Sequence, residues 1–198
     1  IVFQGKAISS VSQDDLNATF DSITVNSGIT NLVRFQTFTA DGTYTPSTGA
    51  TKALVYATGA GGGGGGTDGG SSAAVGGAQG GGGGATAMKF ISPLASSYTV
   101  TVGSGGTGGS AGNNNGSAGG NTTFTDGASL TLTANGGAGG SGIQTSDFEH
   151  VGRGTVPATA TGGDVNYAGG RGGGFRNGDG SSDRQDAIGG FGGSSFFG

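Results

Sequence analysis

Residues 53–66 read Ala-Leu-Val-Tyr-Ala-Thr-Gly-Ala followed by six consecutive glycines. The first five of these residues predict a β-strand, because they are apolar and include β-branched and aromatic side chains. This strand leads directly into the glycine run, and predicted strands at 98–102 and 130–133 lie among glycines in the same way. Flexible Gly/Ser linkers do not usually alternate with strands. The arrangement therefore favours an ordered structure over a linker.

The glycines themselves recur at every third residue. The series are Gly77, Gly80 and Gly83; Gly103, Gly106, Gly109 and Gly112; and Gly136, Gly139 and Gly142. An extended helix of the polyproline II type has three residues per turn, so this period places glycines along one edge. Such a helix has no internal hydrogen bonds, so its buried backbone groups need partners in neighbouring helices. The spacing predicts a bundle of polyglycine II helices joined by backbone hydrogen bonds.

Composition limits what else the chain can be. Glycine accounts for 51 of the 198 residues and proline for only 3, which excludes collagen. Hydrophobic residues make up 31% of the chain, so no large apolar core is expected, and charged residues make up 10%, which excludes charge-rich disorder. The net charge of −4 gives no general affinity for nucleic acid, and the chain has no cysteine for disulfides or thiolate metal sites.

Two regions are predicted from the change in composition. Residues 1–34 resemble ordinary protein, with a helix start at Ser12 and short strands at 23–25 and 29–35, and we interpret them as the end of a fibre shaft or an oligomerisation segment. Residues 35–198 form the glycine-rich domain. It opens with predicted strands at 35–39 and 43–45, separated by an Asp-Gly turn.

The sequence gives only weak candidates for catalysis or for cofactor binding. The chain has a single histidine, His150, and no Gly-Lys-Ser/Thr follows any glycine run, so no phosphate loop is expected. Asp179, Asp183 and Asp186 lack the spacing of an EF-hand. We expect no enzymatic activity, no cofactor and no metal.

Several segments together resemble the glycine-rich domains of bacteriophage tail fibres. Residues 38–46 (FTADGTYTP) and 53–62 are similar to the opening of these domains, and residues 98–106 (YTVTVGSGG) resemble a recurring step within them. Residues 122–124 with 132–137 (LTANGG) resemble a further step. The resemblance covers residues 35–142 and extends to the remainder by composition.

The resemblance implies a mainly β and irregular fold, in which short β-strands accompany polyglycine II helices in an elongated, trimeric fibre tip. It implies a virion protein that is extracellular after release, joins the remainder of the tail fibre and binds lipopolysaccharide or an outer-membrane protein of the host. No signal peptide is expected at the start of the chain, and neither is membrane insertion, because no apolar run reaches 18 residues.

Arginine and aromatic side chains on a glycine scaffold supply rigid contact area for recognition. The candidate receptor-binding residues are Phe148, His150, Tyr167, Arg171, Phe175, Arg176, Phe191, Phe196 and Phe197. The four phenylalanines from Phe175 onward could instead pack between glycine helices or against a sister chain. Three other functions stay open: a structural spacer without a receptor, an ice-binding polyglycine II protein, and an RNA-binding glycine-rich protein.

Overall fold

The computed structural model describes residues 2–3, 6–7, 33–67, 75–145, 155–174 and 190–197. The chain divides into two compact units, residues 1–37 and 38–198. In the first unit, Val2–Phe3 (β1) pairs antiparallel with Lys6–Ala7 (β2). The helix predicted at Ser12 and the strand predicted at 23–25 lie outside the described residues.

Every regular element described in the second unit is a β-strand, which confirms the mainly β fold. The strands are Gly42–Tyr44 (β3), Ala53–Thr58 (β4), Val75–Ala78 (β5), Thr86–Ile91 (β6), Tyr98–Thr101 (β7), Thr122–Thr125 (β8), Thr131–Ala134 (β9), Gly142–Thr145 (β10), Ala160–Thr161 (β11) and Val165–Tyr167 (β12). They form a five-stranded sheet in the order β11-β9-β8-β7-β3, a three-stranded sheet in the order β12-β6-β4, and a β10-β5 ribbon. All neighbouring strands are antiparallel.

The two larger sheets pack face to face around the apolar core. Ala87 and Ile91 of β6 meet Val100, Phe124 and Leu132 of the five-stranded sheet. Tyr98 is buried in the same cluster, where its ring stacks on that of Phe124 with the centroids 4.6 Å apart. The inward positions alternate with outward ones along each strand, as expected when one face of a sheet is buried.

Most of the strands predicted from the sequence of the second unit are present, and its first residues differ from the prediction. The strands predicted at 43–45, 53–57, 98–102 and 130–133 are confirmed to within one residue. The strand predicted at 35–39 is wrong, because residues 33–38 have no regular structure. Gly42, predicted to lie in a turn, instead begins β3, and the Asp41 carboxylate next to it accepts a hydrogen bond from Val102 N–H at 2.7 Å.

Beyond the two sheets, seven glycine-rich runs are joined by backbone hydrogen bonds, and we call them the glycine lattice. The runs are 59–66, 79–85, 103–109, 114–120, 135–141, 169–173 and 190–194. Their hydrogen bonds repeat every third residue: Gly59, Gly62 and Gly65 donate in turn to the carbonyls of Ala85, Gly82 and Gln79 in one neighbour, while Ala60, Gly63 and Gly66 donate to a different run. Period-three contact between runs is therefore present, as the spacing predicted.

The period-three series is shorter than the sequence suggested. Gly112 lies in a turn with a φ of 96°, so its series ends at Gly109. Gly77 belongs to β5 and Gly142 to β10, and these two strands pair with each other at one end of the lattice. The glycine spacing alone could not show that Gly77, Gly112 and Gly142 lie outside the lattice runs, because glycines in strands, turns and runs look the same in the sequence.

Glycine is required in the lattice because adjacent backbones lie where a Cβ would be. A Cβ on Gly63 would lie 2.0 Å from the Thr107 carbonyl oxygen, and one on Gly119 would lie 2.3 Å from that of Ala60. Gly105 differs, because a Cβ there would meet no atom within 4 Å. The lattice thus contains both strictly required and freely replaceable glycines.

Candidate functional site

Four connections begin at residues that lie at the same end of the lattice. They are residues 67–78, 110–113, 142–154 and 174–189. Hydrogen bonds fix the register of the flanking residues: Gly66 N–H bonds the Asn114 carbonyl, Gln79 N–H bonds that of Ser141, and Gly80 N–H bonds that of Gly173. The opposite ends of these runs continue into β4, β6, β7, β8 and β9. One end of the lattice therefore carries the connections and the other carries the sheets.

Side-chain amides of two asparagines form hydrogen bonds at the end of the lattice where the connections begin. Asn114 Nδ2 donates to the Ala111 carbonyl at 2.8 Å and to Ser110 Oγ at 3.1 Å, which closes the turn at 110–113. Asn115 Oδ1 accepts a hydrogen bond from Gly142 N–H at 3.1 Å. These bonds tie run 114–120 to the turn before it and to the start of the connection at 142, and so give this end of the lattice a defined base.

The sequence-predicted site residues fall into three groups. Phe148, His150, Phe175 and Arg176 lie outside the described residues, within the connections 142–154 and 174–189. Arg171 and Phe191 are exposed on neighbouring lattice runs, 169–173 and 190–194. Tyr167, Phe196 and Phe197 come together elsewhere, on the three-stranded sheet.

The outer side of the three-stranded sheet is an exposed apolar surface, which we call the apolar face. Register places Leu54 opposite Phe90, and Tyr56 opposite Met88, which in turn lies opposite Val165. Tyr167 completes the face at the end of β12. The strand positions that form this face carry no charged residue.

Two residues near the end of the chain extend the apolar face. The Phe196 ring stacks on Tyr167 with the centroids 4.6 Å apart, and Phe197 packs edge-on against Phe196 at 4.9 Å. Phe197 also contacts Tyr56 edge-on at 5.8 Å. Sequence reasoning found three of these four rings and missed Tyr56, although alternation along residues 53–58 would have placed Leu54 and Tyr56 on the same side of a strand.

The outer side of the five-stranded sheet has the opposite character. Threonines occupy its outward positions in two cross-strand rows, Thr43-Thr99-Thr125-Thr131 and Thr101-Thr123-Thr133-Thr161. We call this the threonine face. The Oγ1 atoms of Thr125 and Thr131 lie 2.9 Å apart, within hydrogen-bond distance. Cross-strand threonine pairs stabilise a sheet, and their hydroxyls bind water readily.

A cleft of about 410 Å³ lies between β6, the segment after it and the β8–β9 turn. Its lining includes Phe90, Leu94 and Asp126. Hydrogen bonds from the backbone N–H groups of Ala128 and Leu130 hold the pKa of Asp126 below its ordinary value. The cleft lies among the sheets and their turns, and none of the residues that line it belongs to the four connections.

An ion pair closes one edge of the same region. Lys89 Nζ lies 2.9 Å from Asp164 Oδ1, and Phe90 N–H donates to Asp164 Oδ2 at 2.9 Å. The Phe90 bond and, after it, the Lys89 ammonium hold the pKa of Asp164 below its ordinary value. The pair joins β6 to the turn before β12.

Within the six described ranges, no three histidine, cysteine, aspartate or glutamate residues gather as a metal site would need. The same part of the chain contains no helix with the length and apolarity to cross a membrane.

The chain matches a known family of protein domains. No curated protein matches the chain. A family described as a glycine-rich domain matches residues 36–198, which include all seven lattice runs and both packed sheets. The chain belongs to this family of glycine-rich domains.

Proposed function

We propose that this chain is the receptor-binding tip of a bacteriophage tail fibre and adheres to the surface of the bacterial host. The observation that supports the proposal most directly is the register of the glycine lattice. It places the described residues that flank four connections at one end of the lattice, on a base held by backbone hydrogen bonds. Binding residues on loops above a rigid support are a general arrangement for recognition.

The candidate residues within two of these connections supply suitable chemistry. Phe148 and His150 lie in 142–154, and Phe175 and Arg176 lie in 174–189. Aromatic and arginine side chains are enriched in binding hot spots, and arginine pairs well with phosphate groups such as those of lipopolysaccharide. The receptor is therefore lipopolysaccharide or an outer-membrane protein, and the protein itself is a virion component without catalytic activity.

We propose further that the lattice runs are polyglycine II helices and that the tip is a homotrimer attached to the remainder of the fibre. Hydrogen bonds that return to the same neighbour at every third residue support the helix type, since polyproline II geometry has three residues per turn. A high-resolution crystal structure tests both points. Backbone angles near φ −75° and ψ +145° in run 59–66 are expected for this helix.

Adsorption to cells tests the function. Labelled protein should bind host cells, and Phe175→Ala combined with Arg176→Ala, or Phe148→Ala with His150→Ala, should reduce binding about tenfold or more. Gly105→Ala is the matched control, because it changes a lattice surface position without a steric conflict. Host strains that lack lipopolysaccharide sugars or individual outer-membrane proteins then identify the receptor class. A protein that never adsorbs to any host would instead be a structural spacer.

The threonine face favours ice binding as a second candidate. Its two rows place hydroxyl and methyl groups about 4.8 Å apart across strands and about 6.7 Å apart along them. A regular array of hydroxyl and methyl groups of this kind can order water. Thermal hysteresis of the purified protein tests the idea, and Thr123→Lys should abolish the effect if this face contacts ice, whereas an absence of hysteresis in the unaltered protein excludes it.

A further inference from the structure

The two packed sheets expose very different outer faces. The threonine face presents hydroxyl groups, which water solvates well, whereas the apolar face presents Leu54, Tyr56, Phe90, Val165 and Tyr167 with Phe196 and Phe197 beside them. The same chain has only 31% hydrophobic residues. A large share of its bulky apolar side chains therefore lies outside its core, on one side of one sheet.

The size of the apolar face matches the centre of a protein interface. Its five aromatic side chains are between 40% and 63% exposed. With about 200 Å² for each aromatic side chain, the rings alone leave roughly 500 Å² in contact with water. That area equals the largest apolar patch of a typical monomer, and a stable interface needs about 800 Å² on each partner. Leu54, Val165 and Met88 enlarge the patch toward that value.

The chemistry of the apolar face indicates whether a saccharide or a protein surface would bind there. A saccharide needs several hydrogen bonds, but the two strand hydroxyls at the end of this sheet, those of Thr58 and Thr86, lie 3.0 Å apart and bond each other. The remaining strand positions of the face are apolar apart from the tyrosine hydroxyls. Burial against another apolar protein surface is the contact that such a face stabilises best.

Charge and position point to a copy of the same chain. An interface between copies of one chain brings like charges together wherever its surfaces carry them, and this face has no charged strand position, so copies can meet across it without repulsion. It also lies on the three-stranded sheet, and not at the end of the lattice where the four connections begin. Self-association here leaves those connections accessible.

We propose that the apolar face is the surface through which copies of this chain associate. The proposal names the contact for the oligomer in the proposed function, and it does not depend on host recognition. Tyr56 and Phe197 are its central rings, because they contact each other and join the strand part of the face to the end of the chain. Each copy covers the rings of its neighbour and removes them from water.

Sedimentation analysis over a dilution series tests the proposal. The unaltered protein should have at least twice the 18.6 kDa mass of the chain. Tyr56→Lys combined with Val165→Lys places two charges on the face and should weaken association about a hundredfold or more. The control is Thr99→Lys with Thr131→Lys, which has the same separation of two strands on the threonine face and should leave the mass unchanged.

A second measurement on the unaltered protein decides the matter if the double variant fails to fold. Hydroxyl-radical labelling of Tyr56 and Phe197 should fall as protein concentration rises, while labelling of Phe191 on the lattice should stay constant. A protein that is monomeric at every concentration overturns the proposal, and so does an oligomer whose mass survives the lysine substitutions in a folded chain. Adsorption to host cells is read separately, so loss of one property does not imply loss of the other.

Discussion

The two packed sheets and the glycine lattice are successive parts of the same chain segments, and the segments are held together in a different way in each part. In the sheets, β4 faces the five-stranded sheet across Phe124 and Leu132, and packed sheets of this kind lie about 10 Å apart. Past Thr58 the chain of β4 continues as run 59–66, and there it bonds directly to the continuations of β7, β8 and β9. Glycine has no side chain, so in the lattice the continuations of the two sheets, which pack through an apolar core elsewhere, approach each other to hydrogen-bond distance.

This comparison shows how one chain of low hydrophobicity can stay ordered. Side-chain burial stabilises the sheets through a small core, and backbone hydrogen bonds replace it in the lattice. The cost in the lattice is the conformational entropy of glycine, which is the largest of any residue. The sheets at one end fix the starting register of most runs and so reduce that cost.

The largest expected effect is in the sheet core. Leu132→Ala should lower the free energy of unfolding by about 3 kcal/mol, because Leu132 is fully buried and its loss leaves a cavity. Leu130→Ala, at a half-buried position two residues away, should cost clearly less. Urea denaturation followed by circular dichroism measures both. Equal costs would mean that the small core does not stabilise the sheets in the way described.

The stability of the lattice should depend on added side chains, whereas that of the sheet core depends on lost ones. Gly106→Ala should cost about 2 kcal/mol or more, since its Cβ would lie 2.2 Å from the Ser117 carbonyl oxygen. Gly105→Ala, one residue earlier in the same run, should change stability by no more than about 0.5 kcal/mol. The same denaturation assay compares them. If both substitutions left stability unchanged, the backbones in the lattice would not approach each other as closely as described.

Amide exchange compares the two regions without any substitution. The N–H groups of Gly62, Gly82 and Gly119 each donate across the lattice at 2.8–2.9 Å, so they should exchange at least about tenfold more slowly than in a free peptide. Exchange measured by NMR on isotope-labelled protein gives these rates. Protection confined to β4, β6, β7, β8 and β9 would show that the sheets alone are ordered.

The smallest expected effect concerns pH at the β8–β9 turn. Because backbone hydrogen bonds lower the pKa of Asp126 in the folded chain, the ionised carboxylate stabilises the fold above its ordinary pKa of 3.8. That contribution should be lost as the pH falls through the lowered pKa. Asp126→Asn should therefore lose less stability on acidification than the unaltered protein. Thermal unfolding at several pH values measures the difference, and identical pH profiles would contradict it.

Sequence reasoning succeeded where a strand or a spacing has a strong local signal. Residues 53–58 are apolar and β-branched before a glycine run, and the period of three among the glycines reflects a real period in the hydrogen bonds. It failed at β6, since Met88 and Lys89 in this strand carry no β preference and their strand is set by pairing with β4. It also failed at Gly77 and Gly142, where only tertiary pairing distinguishes a strand from a lattice run.

The surfaces were only partly predictable for a related reason. Tyr167, Phe196 and Phe197 were identified by residue type, but the contact of Phe197 with Tyr56 joins two positions that are far apart in sequence. The threonine face depends on the register of five strands, and no single segment of the sequence contains it.

The anchoring of the turn at 110–113 has a practical consequence for exchanging sequence there. Both of its ends are fixed, because Gly109 N–H bonds the Gly64 carbonyl and Asn114 accepts from Gly66. Lengthening such a closed connection costs only about 0.6 kcal/mol for each doubling of its length. Foreign peptides could therefore be grafted at this site while the supporting backbone keeps its alignment, which makes the chain a disulfide-free display scaffold with room for sequence diversity.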